Sequence, residues 1–335
     1  MTSERDTWLA LTTEVAIDPD LPICDPHHHF WDRPESRYLL DELLADTGSG
    51  HRITETVFIE CSSMYRDDGP ELSAPVGETE FVQGIAAMSA SGGYGETKVA
   101  AGIVSYADLS AGDAVTAVLE SHIAASSNRF RGVRNSSCWD ESSEIRSYKN
   151  PIKGLLADSK FREGFSALDR LGLSFDAWLY HTQLGELADL ARVFPGVTII
   201  LDHIAGPLGI GPYACKQDEV FQIWKAGMTE LATCPNVVIK LGGFGMPLGG
   251  FRWHKREAPP SSADIADVMG PYYLHCIEQF GVDHCMFESN FPVDKVSTSY
   301  TVLWNAFKRM TADFSDGERA ALFRDTAVRS YRLSG

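Results

Sequence analysis

Long apolar runs are missing from this chain of 335 residues. No stretch approaches the roughly 20 apolar residues that a membrane-spanning helix requires, so no membrane partner is expected. Basic runs are missing as well: 29 Lys and Arg stand against 46 Asp and Glu, a formal net charge of -17. Such a surface repels a phosphate backbone, which argues against nucleic acid as a partner. Cys-x-x-Cys pairs are absent, and the seven cysteines (24, 61, 138, 215, 234, 276 and 285) are odd in number, a pattern of reduced thiols. Residues 1–20 lack the apolar block that a secretory signal would carry. Together these absences point to the cytoplasm.

What is present is enough apolar material, 44% of residues, for one large core, and the chain reads as a single domain over 1–335. Apolar or β-branched runs bounded by turn residues recur at 22–27, 56–60, 99–105, 130–134, 173–179, 197–202, 236–241 and 284–287. Amphipathic stretches fill most of the gaps, at 78–90, 114–125, 161–171, 184–194, 219–232 and 265–280. Strands alternating with helices predict a parallel sheet. Val197-Thr198-Ile199-Ile200-Leu201 is apolar on consecutive residues, as a strand buried on both faces would be. Eight such units predict an α/β fold of the (β/α)8 TIM-barrel type, whose usual length of about 250 residues leaves room for insertions. The alternative, an open doubly wound sheet, would carry a glycine-rich phosphate turn after its first strand, where this chain has three histidines. Ser315 with Glu318 and Ser261 with Asp264 read as capping boxes. Residues 246–260 read as a long loop able to cover a site.

In a barrel of this type the chemistry gathers at the C-terminal strand ends. Those ends carry His27 and His29, then Glu60, Tyr106, Arg134 and Asn135, His181, His203, Lys240, and finally Glu288 and Asn290. Side chains two apart on an extended backbone share a face, so His27 and His29 can reach one metal ion while His28 turns away. A lone His-x-His is as readily a polar strand end with solvated rings. Four histidines, two acids and two bases at these ends exceed what turn chemistry alone would place there. Phe30-Trp31 and Tyr272-Tyr273 read as packing, and His51, His122, His275 and His284 take no role.

Asp25-Pro26-His27-His28-His29-Phe30-Trp31-Asp32, Arg131-Gly132-Val133-Arg134, Leu179-Tyr180-His181-Thr182-Gln183-Leu184, Leu201-Asp202-His203-Ile204-Ala205-Gly206 and Ser289-Asn290-Phe291-Pro292-Val293-Asp294-Lys295 together resemble the amidohydrolase superfamily. Within it, the chain is similar to the lactonase branch of fuconolactonase-like and pyrone-dicarboxylate lactonase-like proteins. The resemblance implies a metal-dependent hydrolase in which His27 and His29 bind a divalent ion, most simply zinc, with His181 as third ligand. It places His203 beside the reacting carbonyl. Arg134 becomes a candidate for holding a substrate carboxylate or polarising a carbonyl, although an acid neighbour could equally claim it. Glu60, Tyr65, Arg66 and Lys240 become candidate substrate contacts.

One departure stands out. Such sites usually end the eighth strand with an Asp that binds the metal and takes the proton from water, and this chain has Asn290. An amide is no base at neutral pH and a poor ligand. Either the metal is weakly held or absent, or another group moves the proton: His203 first, with Asp294, Glu60 or Glu288 as substitutes. The implied reaction opens a lactone of a sugar acid or carboxylated small molecule. Decarboxylation of an aromatic or unsaturated acid, and an inactive barrel used for binding, are the alternatives. The expected partners are a small-molecule substrate and a second copy in a homodimer.

Overall fold

The structure, a computed structural model, describes residues 4–34, 36–145, 149 and 151–333. Eight strands run parallel in chain order: β1 (Ile23–His28), β2 (Ile53–Ile59), β3 (Lys98–Ser105), β4 (Phe130–Arg134), β5 (Ser174–Ala177), β6 (Ile199–Leu201), β7 (Val237–Leu241) and β8 (Cys285–Phe287). Just beyond β8 the Phe291 carbonyl accepts the His29 N–H at 2.9 Å, and His28 and Phe291 bridge the first strand to the last. The sheet thus curls into a (β/α)8 barrel. All eight expected runs coincide with strands, and the six amphipathic stretches coincide with helices, from Val76–Ala90 to Ser262–Phe280. Both expected capping boxes form.

Several elements have no counterpart in the sequence reading, among them the short N-terminal helix Glu4–Leu9. A two-stranded hairpin, Trp31–Arg33 with Ser36–Tyr38, and the helix Leu40–Thr47 follow β1 directly. The helix Tyr300–Met310 is buried almost throughout, and even its polar side, Thr301, Asn305 and Lys308, is covered, with Asn305 donating to Glu14 and to the Val15 carbonyl at 2.9 Å each. Its buried Lys308 donates to the carbonyls of Ile17 and Asp18 at 2.9 and 2.7 Å, tying the N-terminal segment to the barrel wall. Among the described residues, no helix is long and apolar enough to cross a membrane.

Alternation sorts each of the later strands into two cores. Phe175, Ile199, Leu201, Val237, Ile239, Leu241, Cys285 and Phe287 point outward into the large core under the helices. Ile200, Val238 and Met286 point inward and pack with Cys24, Val57 and Val104 against Tyr331 and Leu333, which plug the lower end. Two residues further along, the same inward rows carry Asp202, Lys240 and Glu288. The barrel therefore changes from oil to charge along its axis, and the charged end is the C-terminal end.

Candidate active site

Lys240 anchors the charged layer. Its Nζ donates to Asp176 Oδ2 at 2.7 Å and to Asp202 Oδ1 at 2.9 Å, and lies 3.2 Å from His27 Nδ1, all with no exposed surface. Burial disfavours the ammonium, but the two carboxylates outweigh it and raise its pKa. The expectation that Lys240 touches substrate is revised accordingly: an inward residue of β7, saturated by two acids, has no surface to offer.

Above this layer lie His27, Glu288 and His203. Glu288 Oε1 accepts both the backbone N–H of His203 (3.1 Å) and its Nδ1 (2.6 Å), while Oε2 lies 2.7 Å from His27 Nδ1 at ion-pair distance. Burial pushes the Glu288 carboxyl up, yet the two imidazoles outweigh it and hold it down to about 2. Because the carboxylate accepts at Nδ1, the His203 lone pair falls on Nε2. The turn that presents this ring is left-handed at three residues running, His203, Ile204 and Ala205, with φ of 54°, 47° and 61°. Such backbone costs on the order of 1 kcal/mol or more per residue, and it survives where surrounding contacts fix it. Trp224 Nε1 donates to the Ile204 carbonyl at 2.8 Å, and Gly243 packs so closely under the His203 ring that a Cβ there would run into it.

Arg134, at the end of β4, faces the same centre. Its Nε donates to Glu60 Oε1 (2.9 Å), Nη2 to the Glu60 carbonyl (2.5 Å) and Nη1 to Asp202 Oδ2 (3.3 Å), and Nη1 lies 3.4 Å from His27 Nε2. Lys149, from the loop after β4, donates to Glu60 Oε2 at 3.2 Å and to the Tyr65 hydroxyl at 3.1 Å. The acid neighbours thus hold Arg134 in place, and it still lines the cavity above. On the eighth strand's side, Asn290 Nδ2 donates to Asp294 Oδ1 (2.8 Å) and the Gly245 N–H to Asp294 Oδ2 (2.9 Å). Burial lifts the Asp294 carboxyl to about 7, against the pull of those donors.

A cavity of about 440 Å³ opens over this cluster, with His29, Arg134, His203 and Asn290 at its base. Trp178, Met246, Leu248 and Val293 form apolar walls, and Trp31 and Arg33 stand at the mouth. Trp31 therefore belongs to the site, whereas Phe30 is fully buried as packing. Two further expectations are revised. Arg66 is exposed and paired with Glu80 outside the cavity, because its loop turns outward beyond Cys61. His181 accepts the Leu208 N–H at Nδ1, 3.4 Å away, and meets Tyr213 edge-on at 5.3 Å; its Nε2 is buried without a partner among the described residues, and it is not one of the group whose ligand atoms gather at His27. Asp202, Asp176, Lys149 and Arg33 join the site without a signal in the sequence motifs, except that Asp202 stands two residues past inward Ile200.

Among the described residues one group could hold a metal: His27, His203 and Glu288 offer ligand atoms all within 4.8 Å of one another. His29 stands outside it, with Nδ1 bonded to the Ile59 carbonyl at 2.8 Å. In kind the set fits a divalent cation, since two imidazoles and a carboxylate serve catalytic zinc elsewhere. Arg134 and Lys240, against the two nitrogens of His27, are the cations such an ion would have to displace or tolerate.

Comparison with known proteins agrees with this architecture. A family model described as Amidohydrolase matches residues 24–333. An uncharacterised protein of Sinorhizobium fredii is 34% identical over 94% of this chain and 99% of its own length. An L-fucono-1,5-lactonase of Burkholderia ambifaria is 26% identical over 92% of this chain and 95% of its own. An amidohydrolase from Burkholderia multivorans, solved with bound zinc, superposes with a TM-score of 0.72 at 22% identity, over 93% of this chain and 99% of that one.

Proposed function

The chain belongs to the amidohydrolase family, and on that premise we propose that it opens a small lactone, with His203 taking the proton from the attacking water. The observation that carries the reading is the His203–Glu288 pair at the base of a cavity sized for one small ring. Glu288 fixes the tautomer and ring position, leaving His203 Nε2 to accept a proton as water oxygen bonds to the ester carbonyl carbon. Arg134, held by Glu60 and Asp202, keeps positive charge next to the oxygen that becomes negative. The acyl–oxygen bond of the ring then breaks, the proton passes from His203 to the departing alkoxide, and a hydroxy acid leaves. Asn290, bonded to Asp294, positions and does not titrate. The lactonase names among its relatives support the reaction class, and the substrate itself belongs to the proposal.

A divalent ion, zinc being the one whose ligand preferences match, would be held by His27, His203 and Glu288 and would supply Lewis acidity to the carbonyl or its water. Holding an ion and using His203 as a base are alternative uses of the same side chains. Elemental analysis of the purified protein, with lactone hydrolysis measured before and after chelation, separates them. Activity retained in metal-free protein supports His203 as base; activity that vanishes on chelation and returns with zinc assigns these residues to the ion. Carbon dioxide release from carboxylated phenols, with every lactone left intact, would move the assignment to decarboxylation. The cysteines are free thiols, six of seven buried, which supports the proposed reducing compartment, the cytoplasm.

A further inference from the structure

Residues 27, 29, 31 and 33 share one side of the first-strand segment and climb from the barrel interior to the rim. His27 and His29 meet edge to face with centroids 4.9 Å apart, His29 and Trp31 stack at 6.1 Å with 21° between planes, and the Arg33 guanidinium lies over the Trp31 ring at 4.4 Å. Trp31 is itself steadied by Ser36, whose Oγ accepts its Nε1–H at 2.9 Å. The top rung is an arginine at the mouth of the cavity.

The two arginines of the cavity differ in what already occupies them. Arg134 is spent on Glu60 and Asp202, while Arg33 has no carboxylate within ion-pair distance among the described residues, and its one long contact is to the Cys61 carbonyl at 3.5 Å. A guanidinium pre-oriented on an aromatic face presents a planar fork of donors that matches a carboxylate. Between it and His203 the walls are apolar, from Trp178, Met246, Leu248 and Val293, which suits the face of a ring better than a fan of hydroxyls.

We propose that Arg33 is the specificity-determining residue of this site and recognises an anionic substituent, a carboxylate on the lactone ring, at the end remote from the bond that breaks. The inference rests on the lactonase reading above for its reaction but not for its binding contact. The kinetic test compares one lactone bearing a free carboxylate with its methyl ester, on wild type, R33Q and R33K. R33Q lowers the carboxylate-over-ester preference in kcat/KM by about 10- to 100-fold, the scale of a hydrogen bond to a charged group, and the loss lies in KM. R33K recovers part of it. Equal losses on both substrates, or none, overturn the proposal. Calorimetric titration with the corresponding carboxylated lactam, which need not be hydrolysed, keeps the two readings apart. Wild type that binds the lactam at least tenfold tighter than R33Q, yet opens no lactone, retains Arg33 and removes the reaction; equal binding by both removes Arg33.

Discussion

Residues 27 to 33 run as one extended segment whose two sides meet different worlds. The odd side, His27, His29, Trp31 and Arg33, faces the charged interior and the cavity. On the even side, His28 takes a hydrogen bond with Thr56 Oγ1 at 2.9 Å, and Phe30 stacks on Phe58 at 5.8 Å, both fully buried. The same residue type, histidine, thus stands among charges beside a cavity on one side and in packing on the other. Burial depresses the His28 pKa to about 3, so that ring stays neutral as a core side chain. What separates the two roles is the partner set: carboxylates and open volume on one side, a hydroxyl and aromatic faces on the other.

The sharpest way to break this division is at His203, which completes the odd side's cluster. His203→Asn removes the proton acceptor while keeping an amide able to donate to Glu288, and asparagine tolerates the left-handed backbone that histidine is forced into. Lactone hydrolysis should fall on the order of 10²–10⁴-fold, with a melting temperature equal to or above that of wild type. A large loss of stability with unchanged turnover per folded molecule would reverse the assignment. Phe30→Ala is the mirror experiment. It should cost about 3–5 kcal/mol in denaturant unfolding, as large core truncations do, and leave kcat/KM of the folded fraction within about twofold.

Period-two reasoning makes much of this legible in the sequence. The eight strands and six helices followed from runs and gaps, and His27 with His29 followed from alternation. Alternation would also have placed Trp31 and Arg33, but an adjacent aromatic pair reads as packing, and half of it is. Asp202, Lys240 and Glu288 share one logic, each two residues past an inward apolar side chain, yet strand phase is needed to tell a charge at the rim from one sealed beneath it. Lys240 is on the sealed side of that line, between Asp176 and Asp202. Lys149 lies in a loop without periodicity, and only the folded chain brings it to Glu60. His181 shows the opposite limit: its motif position is clear from sequence, but which ring nitrogen meets Leu208 and which ring edge meets Tyr213 is set by the local turn.

The smallest effect tests the division one layer further out, on two neighbouring acids. Glu60 is met by Arg134 and Lys149, whereas Glu78 sits behind it, its Oε1 receiving the backbone N–H groups of Cys61 (3.0 Å) and Ser63 (2.7 Å) and the Cys61 thiol (3.6 Å). Burial first, and the charge of Glu60 second, push the Glu78 carboxyl up to about 8 from an ordinary 4.5. The folded chain therefore keeps a proton that the unfolded chain releases between about pH 4.5 and 8, and stability contributed by that proton is lost as pH rises through this window. Glu78→Gln keeps the accepting oxygen, puts an uncharged nitrogen where Oε2 has no partner, and removes the dependence. The melting temperature of the variant should rise relative to wild type by several degrees between pH 5 and pH 8, each kcal/mol being worth about 2–4 °C in larger domains. A gap that stays constant with pH would mean that Glu78 is ionised in the folded protein, and that the packing side of this segment carries charge after all.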